Sequence, residues 1–290
     1  MRPSLPSKTA QHVALVRAIE SLRPAGRRIC WDPYARFFLQ GRMKRIYLLW
    51  PLRKLFCFTS ERYLPGVIGA VLLRTRYIDD WFSAQVTSGV RQVVNLGAGY
   101  DTRWLRFSSQ LQRARVFEVD HPATQDRKVS LLRSFLPTLP GNLVLVPVRF
   151  NRDALDEKLA EVGYRQDLPT AFIWEGVTYY ISRSAVERTL AFITTLSAPA
   201  SAIVFDFFPP TVAEGSSHLK EGRGMHQLFR GIDEAITFGI DVDKLEPFLK
   251  NMGFRNTLIV TARELWRKYH PRKGRRLKIS DLFSLAVGET

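Results

Sequence analysis

The hydrophobic positions change their period once along this chain. Up to about residue 90 they recur at helical spacing; beyond it they gather in short runs separated by amphipathic stretches. In KTAQHVALVRAIESL, residues 8–22, Val13, Val16 and Ile19 share a helical face. WDPYARFFL follows, with Pro33 at a first helical position and Asp32 before it as the cap. Residues 43–58 and 66–88 read as two more helices, so residues 1–90 predict an all-helical cover. Runs rich in Val, Ile and Phe then appear at 92–96 (QVVNL), 114–119 (ARVFEV), 143–148 (LVLVPV), 171–174 (AFIW) and 202–207 (AIVFDF). Helical patterns lie between them at 122–136, 153–162 and 183–197. Strands that alternate with helices need crossover connections, which build a parallel sheet buried on both faces.

The last third departs from that alternation. A helix at 243–251 precedes a run at 255–261 (RNTLIVT), and ISDLFSLAVGE at 279–289 closes the chain. These two runs are expected to pair as a C-terminal antiparallel hairpin. Residues 208–230 hold prolines and glycines with little periodicity and read as a long loop or lid over the sheet. The expected fold class is α/β: a doubly wound, mostly parallel seven-stranded sheet of Rossmann-like type. The helical cover is assigned to 1–90, and the sheet domain, with its insertion at about 208–230, to 91–290.

Composition narrows the class only in part. A chain of 290 residues can bury a sizeable core. No apolar run approaches the ~18 residues of a membrane-spanning helix, and the N-terminus lacks a signal-peptide apolar region. The expectation is a cytoplasmic protein that is not integral to a membrane. Cys30 and Cys57 have no metal-ligand spacing and read as small buried hydrophobes, so no metal is expected. Charge changes the picture more: 43 Lys and Arg against 27 Asp and Glu leave a net +16. The excess concentrates between Arg23 and Lys54 and in RKYHPRKGRRLK at 267–278. It favours an anionic partner. A small acidic or apolar substrate is preferred, an acidic peptide is the second choice, and nucleic acid is disfavoured because no zinc-finger or RRM signature and no repeat is present. Oligomeric state is left open. The basic, aromatic stretch 43–63 (MKRIYLLWPLRKLFCFTSERY) is expected to pack as cover against the sheet, its functional alternative being a lipophilic-acid channel or a membrane-surface face.

Candidate chemistry begins at VVNLGAGYDT, residues 93–102, where the first strand breaks into two glycines. Glycine lets the chain turn tightly against a ligand at the C-terminal end of a parallel strand. The dinucleotide pattern G-x-G-x-x-G is incomplete, because Thr102 replaces the third glycine. Asp101 stands where a pyrophosphate would meet a helix N-terminus, and negative charge there opposes one. It tolerates a cofactor with no phosphate and a positive centre, such as S-adenosyl-L-methionine. Asp101 can also cap the following helix. The second strand ends in Asp120, about twenty residues on, where a carboxylate can accept ribose hydroxyls.

VVNLGAGYDTRWLRF, then VFEVDHPATQDRK, then FIWEGVTYYIS, together with VALVRA, DPYARFF and LRTRYIDD, resemble the leucine carboxyl methyltransferase family. The resemblance runs through most of the chain and is closest to the shorter bacterial branch. It implies a class I S-adenosyl-L-methionine-dependent methyltransferase. Known members methylate carboxylates, either the C-terminal leucine of a protein phosphatase subunit or acids of natural products. By resemblance, Gly97, Ala98 and Gly99 form the turn around the cofactor tail and Asp120 holds the ribose. Arg74 and Arg17 meet the methionine carboxylate, and Glu175 lies beneath the methionine end. Tyr179 and Tyr180 are placed on the substrate side. One departure stands out: after the third strand the family carries an Asp for the adenine amino group, and this chain has Arg149-Phe150. Arginine cannot accept a hydrogen bond. Phe150 is then expected to flank adenine, with Asp153 as the acceptor.

Methyl transfer to a carboxylate needs no general base, so no catalytic triad is expected and no catalytic residue is assigned. Of His12, His121, His218, His226 and His270, the pair His218 and His226 are the candidate bases if the acceptor is a hydroxyl. The favoured function is O-methylation of a small, partly apolar acid. A protein or peptide carboxyl methyltransferase, a phenol O-methyltransferase and a non-enzymatic nucleotide or nucleic-acid binder stand behind it.

Overall fold

The computed structural model describes residues 8–231, 234–269 and 277–290. Four helices come first: α1 (Lys8–Ser21), α2 (Gly41–Leu48), α3 (Trp50–Tyr63) and α4 (Val67–Thr87). Between α1 and α2 a short 3-10 turn covers Ala35–Phe38, and Asp32 caps it by accepting the Ala35 N–H at 3.0 Å. The predicted helix at 43–58 is broken at Leu49, whose backbone is extended. Pro51 has no N–H to continue the ladder. Arg53 satisfies the carbonyls left open at the end of α2, donating from Nη1 to Tyr47 O at 2.5 Å.

The strands follow as β1 (Gln92–Leu96), β2 (Arg115–Asp120), β3 (Leu143–Pro147), β4 (Thr170–Trp174), β5 (Ala202–Phe207), β6 (Asn256–Thr261) and β7 (Ser284–Glu289). They form one sheet in the order β3-β2-β1-β4-β5-β7-β6. All neighbours are parallel except β7, which runs antiparallel to both β5 and β6. Helices α5 (Arg103–Arg106), α6 (Pro122–Leu132), α7 (Leu155–Glu161) and α8 (Arg183–Thr195) ride on the crossovers. The strand order reverses between β1 and β4, which opens a crevice at their C-terminal ends.

β1, β4 and β5 are buried at every position, which is why they read as mainly apolar runs with few polar interruptions. Side chains still alternate between faces. Val93, Ile173 and Val204 join the apolar layer beneath α1 and α4. Val94, Phe172 and Ile203 join the opposite layer beneath α8. The N-terminal helices thus cover one face of the sheet.

Two expectations change. Residues 208–230 are not an open loop: they contain α9 (Pro210–Glu214) and α10 (Lys220–Gly231). The glycines of α10 that suggested a loop mark close packing inside a helix. A Cβ on Gly222 would fall 2.3 Å from Ser217 Oγ, and one on Gly224 2.8 Å from Leu64 Cδ2. Second, β6 and β7 pair antiparallel as expected, but the link between them is long and carries α12 (Ala262–Tyr269), while α11 (Val242–Asn251) precedes β6.

Candidate cofactor cleft

The turn after β1 is built on two left-handed glycines, Gly97 at φ +70° and Gly99 at φ +46°. The N–H groups of Gly97 and Ala98 both donate to Val119 O of β2, at 2.7 and 3.0 Å. The Gly99 N–H donates to Asp120 Oδ2, while Oδ1 accepts the His121 N–H at 2.6 Å. Asp120 therefore fastens the turn to the end of β2. No side chain fits on Gly97, where a Cβ would fall 2.2 Å from Val177 Cγ2.

Above this turn lies a cleft of about 510 Å³. Its walls include Gly97, Ala98, Gly99 and Asp120 from the two strand ends, and Phe150 from the loop after β3. Glu175, Tyr179 and Tyr180 come from the segment after β4. Arg17 of α1 and Arg74 of α4 complete it, although 57 positions of sequence separate them. Asn95, Asp101, His121 and Asn151 also line it.

The cleft floor rests on a continuous chain of buried ion pairs. Arg17 Nε holds Asp32 Oδ2 at 2.9 Å, and the other Asp32 oxygen lies 4.0 Å from Arg106 Nε. Arg106 grips Asp79 at 2.6 Å, and Asp79 meets Arg103 Nε at 2.8 Å. Arg103 Nη1 is shared between Asp101 and Glu175. Glu175 continues to Arg74 Nε at 2.9 Å, and Arg74 Nη1 ends the chain on Asp206 of β5. Each of these side chains is at least nine-tenths buried. A lone charge at such depth is very costly, and a hydrogen-bonded pair removes most of that cost. A carboxylate at the end of a buried strand, as Glu175 is, needs a partner. The chain itself supplies two, Arg74 and Arg103.

These partners set the proton affinities. Burial alone would raise the Glu175 carboxyl, but the guanidiniums of Arg103 and Arg74 outweigh it and hold it down at about 2. Asp101 is held well below the usual carboxylate range in the same way, chiefly by Arg103 against its burial. It also caps α5, accepting the Arg103 N–H at 2.6 Å. Asp120 has no arginine paired with it among the described residues. It opens onto the cleft, yet the enclosing protein pushes it up from 3.8 to about 6, with the Gly99 and His121 N–H groups opposing that rise.

Three sequence expectations fall elsewhere. His218 is exposed, and His226 packs on Gly215 with Nδ1 3.1 Å from Val212 O; neither lines the cleft. Asp153 is not a cleft acceptor. It lines a neighbouring recess and accepts the Arg149 N–H at 2.7 Å, closing the turn after β3. Arg149 itself does line the cleft, beside Phe150, whose ring lies 6.3 Å from that of Trp174. Sequence reasoning missed Arg103, Asp79 and Asp206, the links that join the assigned residues. Asp206 carried a signal: an acid inside the fully buried strand AIVFDF requires a partner.

A leucine carboxyl methyltransferase profile matches residues 10–194. A Streptomyces coelicolor protein, provisionally named an S-adenosyl-L-methionine-dependent methyltransferase, is 36% identical over 203 residues, covering 69% of each chain. Two solved structures share the fold at 15% identity. A DUF574 family protein from Streptomyces avermitilis superposes with a TM-score of 0.61 over 94% of this chain and 99% of its own. A provisionally titled methyltransferase from Thermobifida fusca gives 0.58 over 83% and 89%. The fold is that of a class I S-adenosyl-L-methionine-dependent methyltransferase. The chain belongs to the leucine carboxyl methyltransferase family.

Proposed function

We propose that this enzyme methylates the carboxylate of a small, partly apolar acid, with S-adenosyl-L-methionine lying along the cleft. Phe150 flanks adenine, Asp120 accepts from the ribose, and the methionine end reaches Arg17, Arg74 and Glu175. The buried charge chain is the observation that carries this reading. Its four guanidiniums, Arg17, Arg74, Arg103 and Arg106, face five carboxylates, Asp32, Asp79, Asp101, Glu175 and Asp206. That leaves one negative charge, which suits a cofactor whose sulfonium, ammonium and carboxylate sum to one positive charge. Arg17 spends Nε and Nη2 on Asp32 and Tyr100 O, and Arg74 spends Nε and Nη1 on acids. One terminal nitrogen of each remains for a carboxylate, a charge-assisted contact.

The cofactor supplies an electrophilic methyl on a positive sulfur that departs as a neutral thioether. A carboxylate acceptor is ionised at neutral pH, so the protein has to place it and exclude water rather than remove a proton. The positions of His218 and His226 outside the cleft agree with this. Tyr179 and Tyr180, with ring centroids 4.7 Å apart, offer an apolar wall for the body of the acid. The test is a methyl-transfer assay on a lipophilic acid, its amide and the matching phenol. Turnover confined to the acid supports the proposal; faster turnover of the phenol, lost in His226→Ala, overturns it.

The ribose assignment makes a separate prediction. Asp120→Ala should weaken S-adenosylhomocysteine binding by about 1.5–3 kcal/mol in calorimetry, the range for hydrogen bonds to a charged group. Only the ionised carboxylate accepts from both hydroxyls. Wild-type affinity should therefore fall as pH drops through about 6, the Asp120 value. The stability contribution of the same group runs the other way. Its folded pKa lies above the ordinary 3.8, so protonation between 6 and 3.8 favours the folded state. Affinity unchanged in Asp120→Ala would remove Asp120 from the ribose site.

A further inference from the structure

We infer that α2 and α3 form a docking face for the surface of an anionic phospholipid bilayer. The sequence led to the expectation that residues 43–63 pack against the rest of the fold, and only one side of them does. Met43, Ile46, Tyr47 and Phe56 pack into the core. The other side carries Leu48, Leu49, Trp50, Leu55, Phe58 and Tyr63, each more than half exposed. Six of the eleven large apolar side chains exposed among the described residues thus lie within sixteen positions. Monomers rarely leave such a cluster open without a partner.

Charge identifies the occupant. From Pro33 to Ser60 there is no acidic residue, but there are Arg36, Arg42, Lys44, Arg45, Arg53 and Lys54. Arg42, Lys44, Arg45 and Lys54 are exposed. Lys54 Nζ sits 4.0 Å over the Trp50 ring, so cation and indole share one surface. At the corner between the helices Leu48, Leu49 and Trp50 are all exposed, where Leu49 is extended and Pro51 stands in the first turn of α3. Apolar side chains at a corner, an indole beside them and an excess of cations, with Glu61 the one acid between Pro33 and Tyr63, match the interface of a bilayer with acidic headgroups. A hydrophobic protein partner would not require the cations, and a nucleic acid would not require the leucines. The face also packs against α1 and α4, which carry Arg17 and Arg74 to the cleft. Docking would hold the cleft near the phase in which apolar acids dissolve. The inference stands apart from the identity of the methyl acceptor.

The experiment is flotation of the full chain with vesicles of phosphatidylcholine alone or mixed with phosphatidylglycerol. The protein should float with the anionic vesicles, should remain behind with the neutral ones, and should be released as salt is raised. Arg42→Glu/Lys44→Glu/Arg45→Glu should weaken anionic-vesicle binding by at least about a hundredfold, from roughly fivefold for each cation removed. Trp50→Ser/Leu55→Ser/Phe58→Ser should weaken it by at least about tenfold. Unaltered S-adenosylhomocysteine affinity in both variants shows that they are folded. Two results overturn the inference. One is equal flotation of the wild type with neutral and anionic vesicles, or none with either. The other is a wild-type dimer in sedimentation equilibrium that the serine variant disperses, which assigns the face to a second copy of the chain.

Discussion

Arg74→Met is expected to destabilise the fold by about 3–5 kcal/mol and to remove measurable S-adenosylhomocysteine binding. Among the described residues Arg74 is the only guanidinium that reaches Asp206, through Nη1, and it also holds one oxygen of Glu175. Without it Glu175 keeps Arg103, but Asp206 keeps only the Gly176 N–H at 2.6 Å and the Tyr179 hydroxyl at 3.3 Å. A buried carboxylate left in that state carries its desolvation cost. Burial already sets the Asp206 carboxyl above its ordinary range, with Arg74 opposing the rise. The variant should raise it further. Asp206 then takes up a proton more readily, so the stability deficit should shrink as pH falls. Urea unfolding at two pH values reads this directly. Arg74→Met/Asp206→Asn separates structure from binding: stability should recover in large part, and affinity should not. A single variant as stable as the wild type would show that the ion-pair chain does not tie α4 to the sheet.

Gly97→Ala should lower affinity for S-adenosylhomocysteine by at least about tenfold while leaving most of the fold intact. The left-handed backbone costs roughly 1–2 kcal/mol for any residue with a Cβ. The new methyl would also fall 2.2 Å from Val177 Cγ2, and Val177 is itself a wall of the cleft. The turn or Val177, or both, has to shift. Each distorts the surface that includes Ala98 and Gly99. Gly97→Ala/Val177→Ala should regain the part due to the clash and not the part due to backbone strain. Calorimetry on the two variants distinguishes these, and wild-type affinity in Gly97→Ala would mean the turn does not touch the cofactor.

The turn and Asp120 were legible in the chain because each is a local event. A strand of five apolar-rich residues stops at a glycine, another stops at an acid, and their separation follows from one crossover. The ion-pair chain was not legible. Arg103, Arg106 and Asp79 look like the other charges of a strongly basic protein, and burial is decided by which helix lies over which strand. Arg17 and Arg74 were reached only through resemblance, since nothing local distinguishes them from other arginines. The glycines of α10 misled because glycine serves close packing as well as flexibility. In α3 the apolar positions fall on two faces, Phe56 towards the protein and Leu55 and Phe58 towards solvent. Periodicity had no polar side to mark, so the segment read as wholly packed.

The position of β7 has a consequence for how the sheet is completed. β7 is an interior strand, with β5 on one side and β6 on the other, although it follows both in sequence. Among the described residues β6 pairs with no other strand, and Asp206 of β5 stands in register with Leu285 of β7. Until β7 is seated, β5 presents an open edge and β6 has nothing to join. The acid that anchors Arg74 then sits on an unpaired edge. A chain caught before that step lacks the middle of its sheet rather than its margin.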